Sequence, residues 1–486
     1  MSQLKKLIEK LDDIKELKGE SDKEIQGIAY DSRKVEKDFI FVAIKGFVHD
    51  GHDFIGDAVK KGAACVVVEE GVPLPLHITQ IKVKNTRKAL ACLTKAFYNN
   101  LDEKMHLIGV TGTNGKTTTT HLIKKILEES GKKVGLIGTI SNKIGDREIQ
   151  AERTTPEAPD LFKLFKEMYD NGVEYVVMEV SSHSLELERV YGLKFKIGVF
   201  TNLTQDHLDF HENFENYYQA KKKLFKISSL GVINCDDKAG RRLVDEIDIP
   251  VLTYGIGGKC DIKAENINFS SKGVTFDIAT PSVESYRISL NIPGTFSVYN
   301  ALACISTGIA LDIDLQKIKK ALAQIRGVPG RFEIIDEGQD FTVIVDYAHT
   351  PDGLENILKG VKEFASGKII VVFGCGGNRD KKKRPVMGRI ATEIADLSVI
   401  TSDNPRYEEP EAIISEIEEG AKLGRGEYIK IADRRAGIEY ALKHARKDDV
   451  VVIAGKGHET YQIIGDKSIP FDDREVAREI LRGFKK

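Results

Sequence analysis

The sequence predicts an α/β protein of three domains. A central P-loop-type domain with a mostly parallel sheet and added antiparallel strands is flanked by a small N-terminal α/β domain and a C-terminal Rossmann-like domain. The chain has 486 residues, more than one hydrophobic core usually serves. A glycine-rich turn near residue 112 joins an apolar strand to an amphipathic helix. Apolar strand-like runs alternate with helical patterns, which favours parallel sheets with right-handed crossovers.

Composition narrows the class of protein. The 72 basic and 74 acidic residues nearly cancel, so nothing global attracts nucleic acid or an anionic membrane. The six cysteines form no C-x-x-C pair, which indicates reduced, packed thiols and argues against a zinc site. The charged N-terminus does not resemble a signal peptide, and no apolar run approaches the ~18 residues of a membrane span. We therefore expect a cytoplasmic protein with no nucleic-acid partner and no membrane span.

The N-terminal domain is predicted to cover residues 1–103. Apolar and helical patterns there predict a strand at Phe39–Ala43, a turn from Gly46 to Gly51, a helix at Phe54–Lys61 and a buried strand at Cys65–Val68. Asp31-Ser32-Arg33 precedes the first of these strands. From the sequence alone, these residues either cap a turn or belong to a site.

The central domain, residues 104–330, begins with a strand through Leu107 to Val110 and the loop Gly112-Thr-Asn-Gly-Lys116-Thr117. Such a turn aims backbone N–H groups at an anion over a helix N-terminus, while the lysine and the threonine hydroxyl can serve phosphate and metal. The two glycines lie closer together than in the common P-loop pattern, so this is a variant loop. The alternative is a plain glycine turn with a surface lysine.

The rest of the central domain continues the alternation. Further strands are predicted at Lys133–Ile140, Tyr175–Val180 and Ile197–Phe200, antiparallel strands at Val274–Ile278 and Tyr286–Leu290, and helices at 159–171 and Val298–Ala310.

The C-terminal domain, residues 331–486, returns to a strand and helix rhythm. Its predicted strands are Thr342–Asp346, Lys368–Phe373, Leu397–Thr401 and Val450–Ala454. Three of them end in polar motifs: Asp346-Tyr-Ala-His349, Asp403-Asn-Pro-Arg406 and Gly455-Lys-Gly-His-Glu459. Because ligands bind at the carboxyl ends of parallel strands, these motifs predict a second ligand surface facing the first.

Three further segments of the central domain carry candidate chemistry. Glu179 ends an apolar strand, where it either binds a magnesium ion beside the nucleotide phosphates or caps a helix. The segment Asp206-His207-Leu-Asp209-Phe-His211 is dense enough in ionisable groups to indicate a site. By contrast, Lys221-Lys-Lys223 has the pattern of a solvated helix face.

Taken in order, these motifs resemble the Mur ligases, ATP-dependent enzymes that add amino acids to the peptidoglycan precursor. The resemblance covers all three domains and rests on an ordered set rather than on one motif. The set is Asp31-Ser-Arg, the Gly112 to Thr117 loop, Thr154-Thr-Pro156, Glu179-Val-Ser-Ser-His, Asp206-His-Leu-Asp, Ala220-Lys221, Asn300-Ala, Gly330-Arg331-Phe, Asp346-Tyr-Ala-His-Thr-Pro, Asp403-Asn-Pro-Arg and Gly455-Lys-Gly-His-Glu.

The resemblance implies that ATP phosphorylates the γ-carboxylate of D-glutamate on UDP-N-acetylmuramoyl-L-alanyl-D-glutamate, and that an amino acid then displaces phosphate. It assigns ATP binding to Gly112, Thr113, Asn114, Gly115, Lys116, Thr117, Thr118, Asn300, Arg331 and Asp346. Mg²⁺ is the implied cofactor, with Thr117 and Glu179 holding one ion and His207 and Lys221 serving a second. In this family the lysine at the place of Lys221 is carbamoylated, which opposes the solvated-face interpretation. Lys116, Glu179, His207 and Lys221 are the implied catalytic residues.

For the UDP precursor, the resemblance implies contacts from Tyr30, Ser32, Thr154, Thr155, Ser181 and Arg189. Two positions depart from the family pattern. Arg153 stands where an asparagine is common, and Leu187 where a glutamine is common.

For the third substrate, the resemblance implies binding by Arg379, Asp403, Asn404, Pro405, Arg406, Gly455 and Glu459. meso-Diaminopimelate differs from lysine by a second carboxylate, which a guanidinium such as that of Arg406 can grip with two hydrogen bonds. We therefore expect a diaminopimelate-adding member acting as a monomer. The alternatives are a lysine-adding member, a ligase like folylpolyglutamate synthase, and a P-loop ATPase switch.

Overall fold

The computed structural model describes residues 2–270, 272–280, 283–325 and 327–484, apart from the side chains at positions 208, 209, 283 and 284. Three large sheets follow one another along the chain, each covered by helices. The predicted three-domain α/β fold is therefore confirmed. None of the helices in the described ranges combines the length and the apolar character needed to cross a bilayer.

The N-terminal region carries a mixed sheet in which β2, β7, β6, β5 and β4 neighbour one another in that order. Only the β2–β7 pair is antiparallel. The elements are β1 (Ser2–Gln3), α1 (Leu4–Ile8), β2 (Ile14–Lys18), β3 (Glu24–Ile25), β4 (Gly27–Ala29), β5 (Phe39–Val42), α2 (Ile55–Lys60), β6 (Ala63–Val68), β7 (Thr79–Val83) and α3 (Thr86–Phe97), with 3-10 turns at Ser32–Lys34, Gly51–Phe54 and Leu101–Glu103.

The central region is built on a long sheet whose described strands run in the order β11-β10-β9-β12-β8-β13-β14-β15-β16-β17-β18. The elements are β8 (His106–Thr111), α4 (Lys116–Glu129), β9 (Val134–Ile137), β10 (Ser141–Ile144), β11 (Arg147–Gln150), α5 (Ala158–Asp170), β12 (Tyr175–Glu179), α6 (Ser182–Glu186), β13 (Phe195–Phe200), α7 (Leu208–His211), α8 (Phe214–Lys226), β14 (Gly231–Asn234), α9 (Lys238–Glu246), β15 (Val251–Gly255), β16 (Ile262–Ser270), β17 (Gly273–Thr280), β18 (Val283–Leu290), α10 (Thr295–Ala310) and α11 (Leu315–Gln324). In this spatial order, every neighbouring pair from β9 through β12, β8, β13, β14 and β15 to β16 is parallel. The pairs at the two ends, β11–β10 and β10–β9 at one and β16–β17 and β17–β18 at the other, are antiparallel.

The C-terminal region has a sheet of order β19-β20-β24-β21-β22-β23, parallel except for β19. The elements are β19 (Glu333–Ile335), β20 (Thr342–Asp346), α12 (Pro351–Lys362), β21 (Ile369–Phe373), α13 (Lys383–Ile394), β22 (Leu397–Ile400), α14 (Pro410–Ala421), β23 (Glu427–Lys430), α15 (Arg434–His444), β24 (Val450–Ala454), β25 (Tyr461–Ile464), β26 (Lys467–Pro470) and α16 (Asp473–Gly483). The hairpin of β25 and β26 forms a small sheet of its own.

Each predicted strand and helix has a counterpart within a few residues of its predicted place. The hairpins β10–β11 and β25–β26 were not predicted, because short runs of mixed polarity carry little periodic signal. The domain boundaries at 103/104 and 330/331 stay predictions. Both fall between sheets, the first between α3 and β8 and the second between α11 and β19.

One apolar core extends from the central region into the C-terminal region. Phe296 at the start of α10 packs against Phe332, with ring centroids 5.1 Å apart, and Phe332 in turn packs against Phe364 at 6.2 Å. Because the two regions share this core, it fixes the position of the central sheet relative to the C-terminal sheet.

Candidate active site

The phosphate-type loop lies at the carboxyl edge of the central sheet, between two neighbouring strands. Strand β8, which leads into it, pairs with β12 on one side and β13 on the other. Gly112 and Gly115 have φ values of +148° and +85°. A Cβ at Gly112 would lie 1.9 Å from the Thr201 hydroxyl, and one at Gly115 would lie 2.4 Å from Asn300 Oδ1. The backbone therefore turns where only glycine fits.

Lys116 begins α4, and its ammonium closes the loop on itself. Nζ donates to the carbonyls of Gly112 at 2.9 Å and Thr113 at 2.8 Å. Burial lowers the pKa of Lys116, although Glu179 and Asp206 oppose that shift. Among the described residues it forms no ion pair with a carboxylate. Its direct hydrogen bonds are thus to backbone carbonyls, with Glu179 and Asp206 acting from a distance.

Glu179 is only 1% exposed and lies directly beside the loop. One carboxylate oxygen accepts from the Thr117 and Thr139 hydroxyls, each at 3.0 Å, and the other accepts from the Thr139 N–H at 2.8 Å. A Cβ at Gly138 would lie 2.5 Å from this carboxylate, so the strand end is shaped around it. A hydroxyl and a carboxylate at a phosphate loop are hard oxygen donors of the kind that Mg²⁺ prefers.

Lys221 corrects the prediction of a solvated helix face. Its side chain is 1% exposed, and Nζ donates to the Gly112 carbonyl at 2.7 Å and lies 4.4 Å above the Tyr217 ring. Burial, with repulsion from Lys116 second, places the pKa of Lys221 well below its ordinary value. Lys222 and Lys223 keep part of the predicted role, since they pair with Glu246 at 2.8 Å and Glu186 at 2.7 Å.

His207 also lies near Tyr217, with the two ring centroids 6.1 Å apart. It is 4.8 Å from the His183 ring and 3.4 Å from the Asp206 carboxylate, and its side chain is 45% exposed. The side chain of Asp209, in the same motif, lies outside the described residues. No group of three His, Cys, Asp or Glu side chains in the described part could hold a metal ion by itself.

The residues predicted for the UDP precursor divide between two places. Thr154, Thr155, Ser181 and Arg189 surround the Glu179 strand end. The Thr155 hydroxyl donates to the Glu179 carbonyl at 2.8 Å and accepts from the Ser181 N–H at 3.1 Å. Thr154 shares a 3.0 Å hydrogen bond with Thr139, and Arg189 donates to the Thr155 carbonyl at 3.0 Å. These four residues are therefore connected through hydrogen bonds to the strand end that carries Glu179, a candidate Mg²⁺ ligand.

Tyr30 and Ser32 lie on the N-terminal domain. The Tyr30 hydroxyl donates to Asp160 on α5 at 2.7 Å, which ties the two regions together. Burial raises the pKa of Tyr30. Ser32 starts a 3-10 turn that Asp31 caps by accepting from the Arg33 N–H at 2.9 Å, so the capping interpretation holds for Asp31.

The two positions that depart from the family pattern have ordinary structural partners. Arg153 pairs with Glu157 at 2.7 Å, and Glu157 also pairs with Arg189 at 2.8 Å. Leu187 follows the last residue of α6.

Asn300 lies on α10 beside Gly115 of the loop, whereas Arg331 and Asp346 lie at the start of the C-terminal region. Asn300 Oδ1 accepts from the Thr119 hydroxyl at 3.3 Å. Asp346 accepts from the Phe332 and Ala348 N–H groups at 2.7 and 2.9 Å, and burial raises its pKa against the opposing charge of Arg331. The Arg331 guanidinium stacks 4.4 Å from the Tyr347 ring, and its buried Nε has no hydrogen-bond partner among the described residues.

A carboxylate that the sequence did not single out joins the two sheets directly. Asp352, in the first turn of α12, accepts from Asn114 Nδ2 of the loop at 2.6 Å. It also accepts from the Thr204 hydroxyl at 3.0 Å. The contact holds the C-terminal domain against the phosphate-type loop.

The Asp403-Asn-Pro-Arg406 motif follows β22 and meets the segment that follows β24. Asn404 Nδ2 donates to Glu459 at 3.0 Å, and a Cβ at Gly455 would lie 2.7 Å from the Asp403 carboxylate. Arg406 has a φ of +53°, and its guanidinium donates to the Gly377 carbonyl at 2.9 Å. Its backbone is held by the unpredicted hairpin, since its N–H donates to Ile463 at 3.0 Å and its carbonyl accepts from Gly465 at 2.7 Å.

Arg379 and Pro405 complete the predicted amino-acid set. Arg379 is exposed on the loop after β21, and a Cβ at Gly376 would lie near both the Arg379 and the Arg406 side chains. The Pro405 carbonyl lies 1.9 Å from where a Cβ at Gly377 would be placed. The loops after β21, β22 and β24 therefore meet at one surface.

The sequence did not indicate that three cations of the C-terminal domain are buried beside these loops. Arg434 pairs with Asp473 at 2.7 Å, Arg384 pairs with Glu408 and Glu416 at 2.9 Å, and Lys456 donates to Asn404 at 3.0 Å. Lys456 stood inside a motif that the sequence did indicate. Arg384 and Arg434 carried no such signal, because basic residues in amphipathic helices are usually solvated.

The sequence matches known families along most of its length. Residues 24–98 match the Mur ligase family catalytic domain, residues 110–308 the Mur ligase middle domain, and residues 330–457 the Mur ligase glutamate ligase domain. The three matches follow the order of the three sheets.

Full-length relatives give the same result. The chain is 52% identical over 98% of its length to a UDP-N-acetylmuramoyl-L-alanyl-D-glutamate--2,6-diaminopimelate ligase from Clostridium tetani, of which the match covers 99%. It is also 52% identical over 98% of its length to a ligase of the same name from Alkaliphilus metalliredigens, covered to 97%. A solved structure of a ligase of that name superposes with a TM-score of 0.71 at 31% identity, covering 95% of this chain and 96% of the other.

Proposed function

The chain belongs to the Mur ligase family, and we propose that it joins meso-diaminopimelate to the D-glutamate γ-carboxylate of UDP-N-acetylmuramoyl-L-alanyl-D-glutamate with the use of ATP. The 52% identity to a ligase of this name over nearly the whole of both chains carries the proposal. Such a reaction serves the synthesis of the peptidoglycan precursor, in the cytoplasm. It is an amide ligation with two chemical steps.

In the first step, the γ-phosphoryl group of ATP passes to a carboxylate oxygen of the D-glutamate, and ADP leaves. The backbone N–H groups of the Gly112 to Thr117 loop bind the phosphates, and the Lys116 ammonium neutralises charge on the transferred group. This requires Lys116 Nζ to exchange the Gly112 and Thr113 carbonyls for phosphate oxygens. Thr117 and Glu179 would hold Mg²⁺, which supplies further neutralisation of phosphate charge when bound.

Lys221 and His207 are proposed for a second metal position. Burial lowers the pKa of the Lys221 amine, which favours its neutral form, and a neutral amine adds CO₂ and releases a proton to form a carbamate. The addition turns a cation into a carboxylate-like oxygen donor beside the loop. His207 and Lys221 both lie close to the Tyr217 ring.

In the second step, the amine of the amino acid attacks the acyl-phosphate carbon, the tetrahedral intermediate collapses, and inorganic phosphate leaves. Negative charge develops on the carbonyl oxygen and on phosphate, so fixed cations contribute most of the rate enhancement. For this transfer, the C-terminal domain must lie close to the phosphate-type loop. Asp352 supports that position because it accepts hydrogen bonds from Asn114 and Thr204.

We also propose which of the remaining residues bind ATP and which bind the UDP precursor. Asn300, Arg331 and Asp346 are proposed to bind ATP around its adenine, phosphate and ribose, and the Nε of Arg331 has no hydrogen-bond partner among the described residues. Thr118, in the first turn of α4, adds to the phosphate contacts. Tyr30, Ser32, Thr154, Thr155, Ser181 and Arg189 are proposed to hold the UDP precursor.

Selection of diaminopimelate is assigned to Arg406, with Arg379 nearby and Asp403, Asn404, Pro405, Gly455 and Glu459 shaping the surface. A guanidinium can bind the second carboxylate of diaminopimelate with two parallel hydrogen bonds, and lysine offers no such group.

An amino-acid competition assay tests the proposal. Purified protein, ATP, Mg²⁺ and the UDP-muramoyl dipeptide are incubated with diaminopimelate, lysine or both, and phosphate release and product mass are measured. Amide product with diaminopimelate, formed in step with phosphate, is the expected result. Product with lysine alone would overturn the role of Arg406 and keep the family.

Two further controls address the other activities that a phosphate loop permits. Replacing the muramoyl dipeptide and diaminopimelate by folate and glutamate should give no product, which separates this enzyme from a folylpolyglutamate synthase. ATP hydrolysis stimulated by a protein or nucleic acid, with no amide formed, would indicate an ATPase switch instead. We also propose that the enzyme acts as a monomer, which light scattering at assay concentration would test.

A further inference from the structure

We propose that Lys456 is a positioning residue for the amino-acid substrate, because its buried ammonium fixes the side chains of Asn404 and Glu459. The inference rests on the proposed function, which assigns both of those residues to the amino acid. Lys456 lies one residue after Gly455 and three before Glu459, but it has no assigned role of its own.

The ammonium of Lys456 lies at the junction of two strand ends. Its side chain is 0% exposed, and Nζ donates to Asn404 Oδ1 at 3.0 Å after β22. Nζ also lies 3.4 Å from Glu459 Oε2 after β24 and 5.7 Å from the Tyr461 ring centroid. A fully buried ammonium is costly unless it is paired, and these contacts supply the pairing.

These contacts set the direction of the Asn404 amide. Oδ1 accepts from Lys456 Nζ and, at 2.9 Å, from the Ile463 N–H. Because Oδ1 meets two donors, Nδ2 is turned to the opposite side, where it donates to Glu459 Oε2 at 3.0 Å. Lys456 and Asn404 thus hold the same oxygen of Glu459 from two directions. The other oxygen, Oε1, is left to face a substrate ammonium.

Loss of the Lys456 charge should therefore disturb the side chains of Asn404 and Glu459 but leave the C-terminal domain folded. Asn404 would keep one of its two donors, and Glu459 would lose its nearest cation. The strand ends themselves are tied independently, since Arg434 donates to the carbonyls of Ala454 at 3.0 Å and Ser402 at 3.4 Å while it pairs with Asp473. This second tie makes a folded Lys456 variant attainable.

The test is Lys456→Met, which keeps an unbranched side chain of nearly the same length and removes its charge. A hydrogen bond to a charged group contributes about 1.5–3 kcal/mol, so the KM for the amino acid should rise about tenfold to a hundredfold. The KM values for ATP and for the UDP precursor should stay unchanged. The matched control is Lys430→Met, which removes a lysine of the same domain that pairs with Glu418 at 3.0 Å on β23; it should change none of the three.

A double-mutant cycle with Asn404→Ala separates positioning from direct contact. If Lys456 and Asn404 act together on Glu459, the rise in KM for the amino acid in the double variant should be clearly smaller than the combined effect of the two single variants. Fully additive effects would overturn the proposal. So would a Lys456→Met enzyme with an unchanged KM for the amino acid, or an equal loss for all three substrates.

Two measurements keep the outcome decisive. The wild-type enzyme is assayed first with diaminopimelate and with lysine: failure with both sinks the proposed function, whereas activity with either provides the substrate for the KM comparison. If Lys456→Met does not fold, Lys456→Gln, which retains an N–H donor, is measured in its place. Failure of both variants to fold would make Lys456 a structural residue and overturn the positioning role.

Discussion

The buried cations of the central and C-terminal domains are compensated in different ways. In the central domain, Lys116 and Lys221 donate to backbone carbonyls, and neither forms an ion pair with a carboxylate in the described part of the chain. In the C-terminal domain, Arg384, Arg434 and Lys456 each lie within ion-pair distance of a carboxylate. Lys116 is partly buried and the other four cations are fully buried, and the two regions give these cations different electrostatic surroundings.

The difference separates reactive cations from architectural ones. A buried ammonium without a carboxylate partner loses hydration and gains little in return, which lowers its pKa and leaves it ready to bind an anion or to lose a proton. A buried guanidinium paired with carboxylates stays charged and fixes the elements that carry its partners. We expect mutations to follow this division: loss of chemistry in the central domain, and loss of shape or of one substrate in the C-terminal domain.

The largest expected effect is that of Lys221→Ala. We expect turnover to be abolished, because the variant lacks the buried amine that would take up CO₂ beside the loop. Steady-state phosphate release with all substrates present is the measurement. A fully active variant would remove the carbamate proposal, and bicarbonate should partly restore wild-type enzyme that has lost its CO₂ at low pH.

Lys116→Met comes next, with a fall in kcat of about 10²- to 10³-fold, the usual result of removing one group that stabilises charge in a transition state. Thermal unfolding should change little, because the lysine contacts only carbonyls of its own loop. If unfolding shifts strongly while kcat is preserved, Lys116 belongs with the architectural cations.

Arg406→Ala should act on one substrate only. Removing one partner of a buried charged pair costs about 2 kcal/mol or more, so kcat/KM for diaminopimelate should fall at least about thirtyfold. The KM for ATP should remain at its wild-type value. The variant's ratio of kcat/KM for diaminopimelate to that for lysine is the sharpest measurement, and an unchanged ratio would contradict the assignment.

Arg384→Met should mainly affect stability. The Arg384 side chain is 0% exposed and pairs with two glutamates, so its loss should destabilise the C-terminal domain by about 3 kcal/mol. Chemical denaturation followed by hydrogen exchange at β21 and β22 would localise the effect. A stable Arg384→Met protein would show that not every buried cation paired with a carboxylate stabilises the fold.

The smallest expected effect concerns His458, whose ring packs 5.1 Å from that of Tyr347. Burial lowers its pKa from 6.5 to about 4, with Arg331 as the next cause. Between these pH values the unfolded chain binds a proton that the folded chain does not, so stability falls as the pH is lowered. His458→Gln should flatten this slope in a series of unfolding midpoints from pH 7 to pH 4.

Strong periodic patterns in the sequence were enough to predict most of the fold. The strands ending at Thr111, Glu179 and Asp346 are continuous apolar runs with polar residues at the carboxyl end, so both their place and their functional edge could be predicted. The hairpin β25–β26 could not, because it packs against Arg406 through backbone contacts that leave no side-chain pattern.

Lys221 shows why the site was predicted less completely from the residues alone. Three consecutive lysines on an amphipathic helix indicate solvent, and local sequence gives no reason to distinguish the first from its neighbours. The helix turns so that Lys221 faces the Gly112 carbonyl while Lys222 and Lys223 reach glutamates at its sides. Such a choice depends on how α8 packs under the loop, which is a tertiary property.

The Gly112 carbonyl, which accepts from both Lys116 and Lys221, links the surroundings of the two lysines. In the unmodified chain, both amines donate to this one carbonyl, and the charge of Lys116 helps to lower the pKa of Lys221. If Lys221 takes up CO₂ as proposed, its side chain would become an anion and would give Lys116 a neighbour of opposite charge. A small gas molecule at one lysine would thus alter the electrostatic surroundings of the lysine proposed to meet the nucleotide.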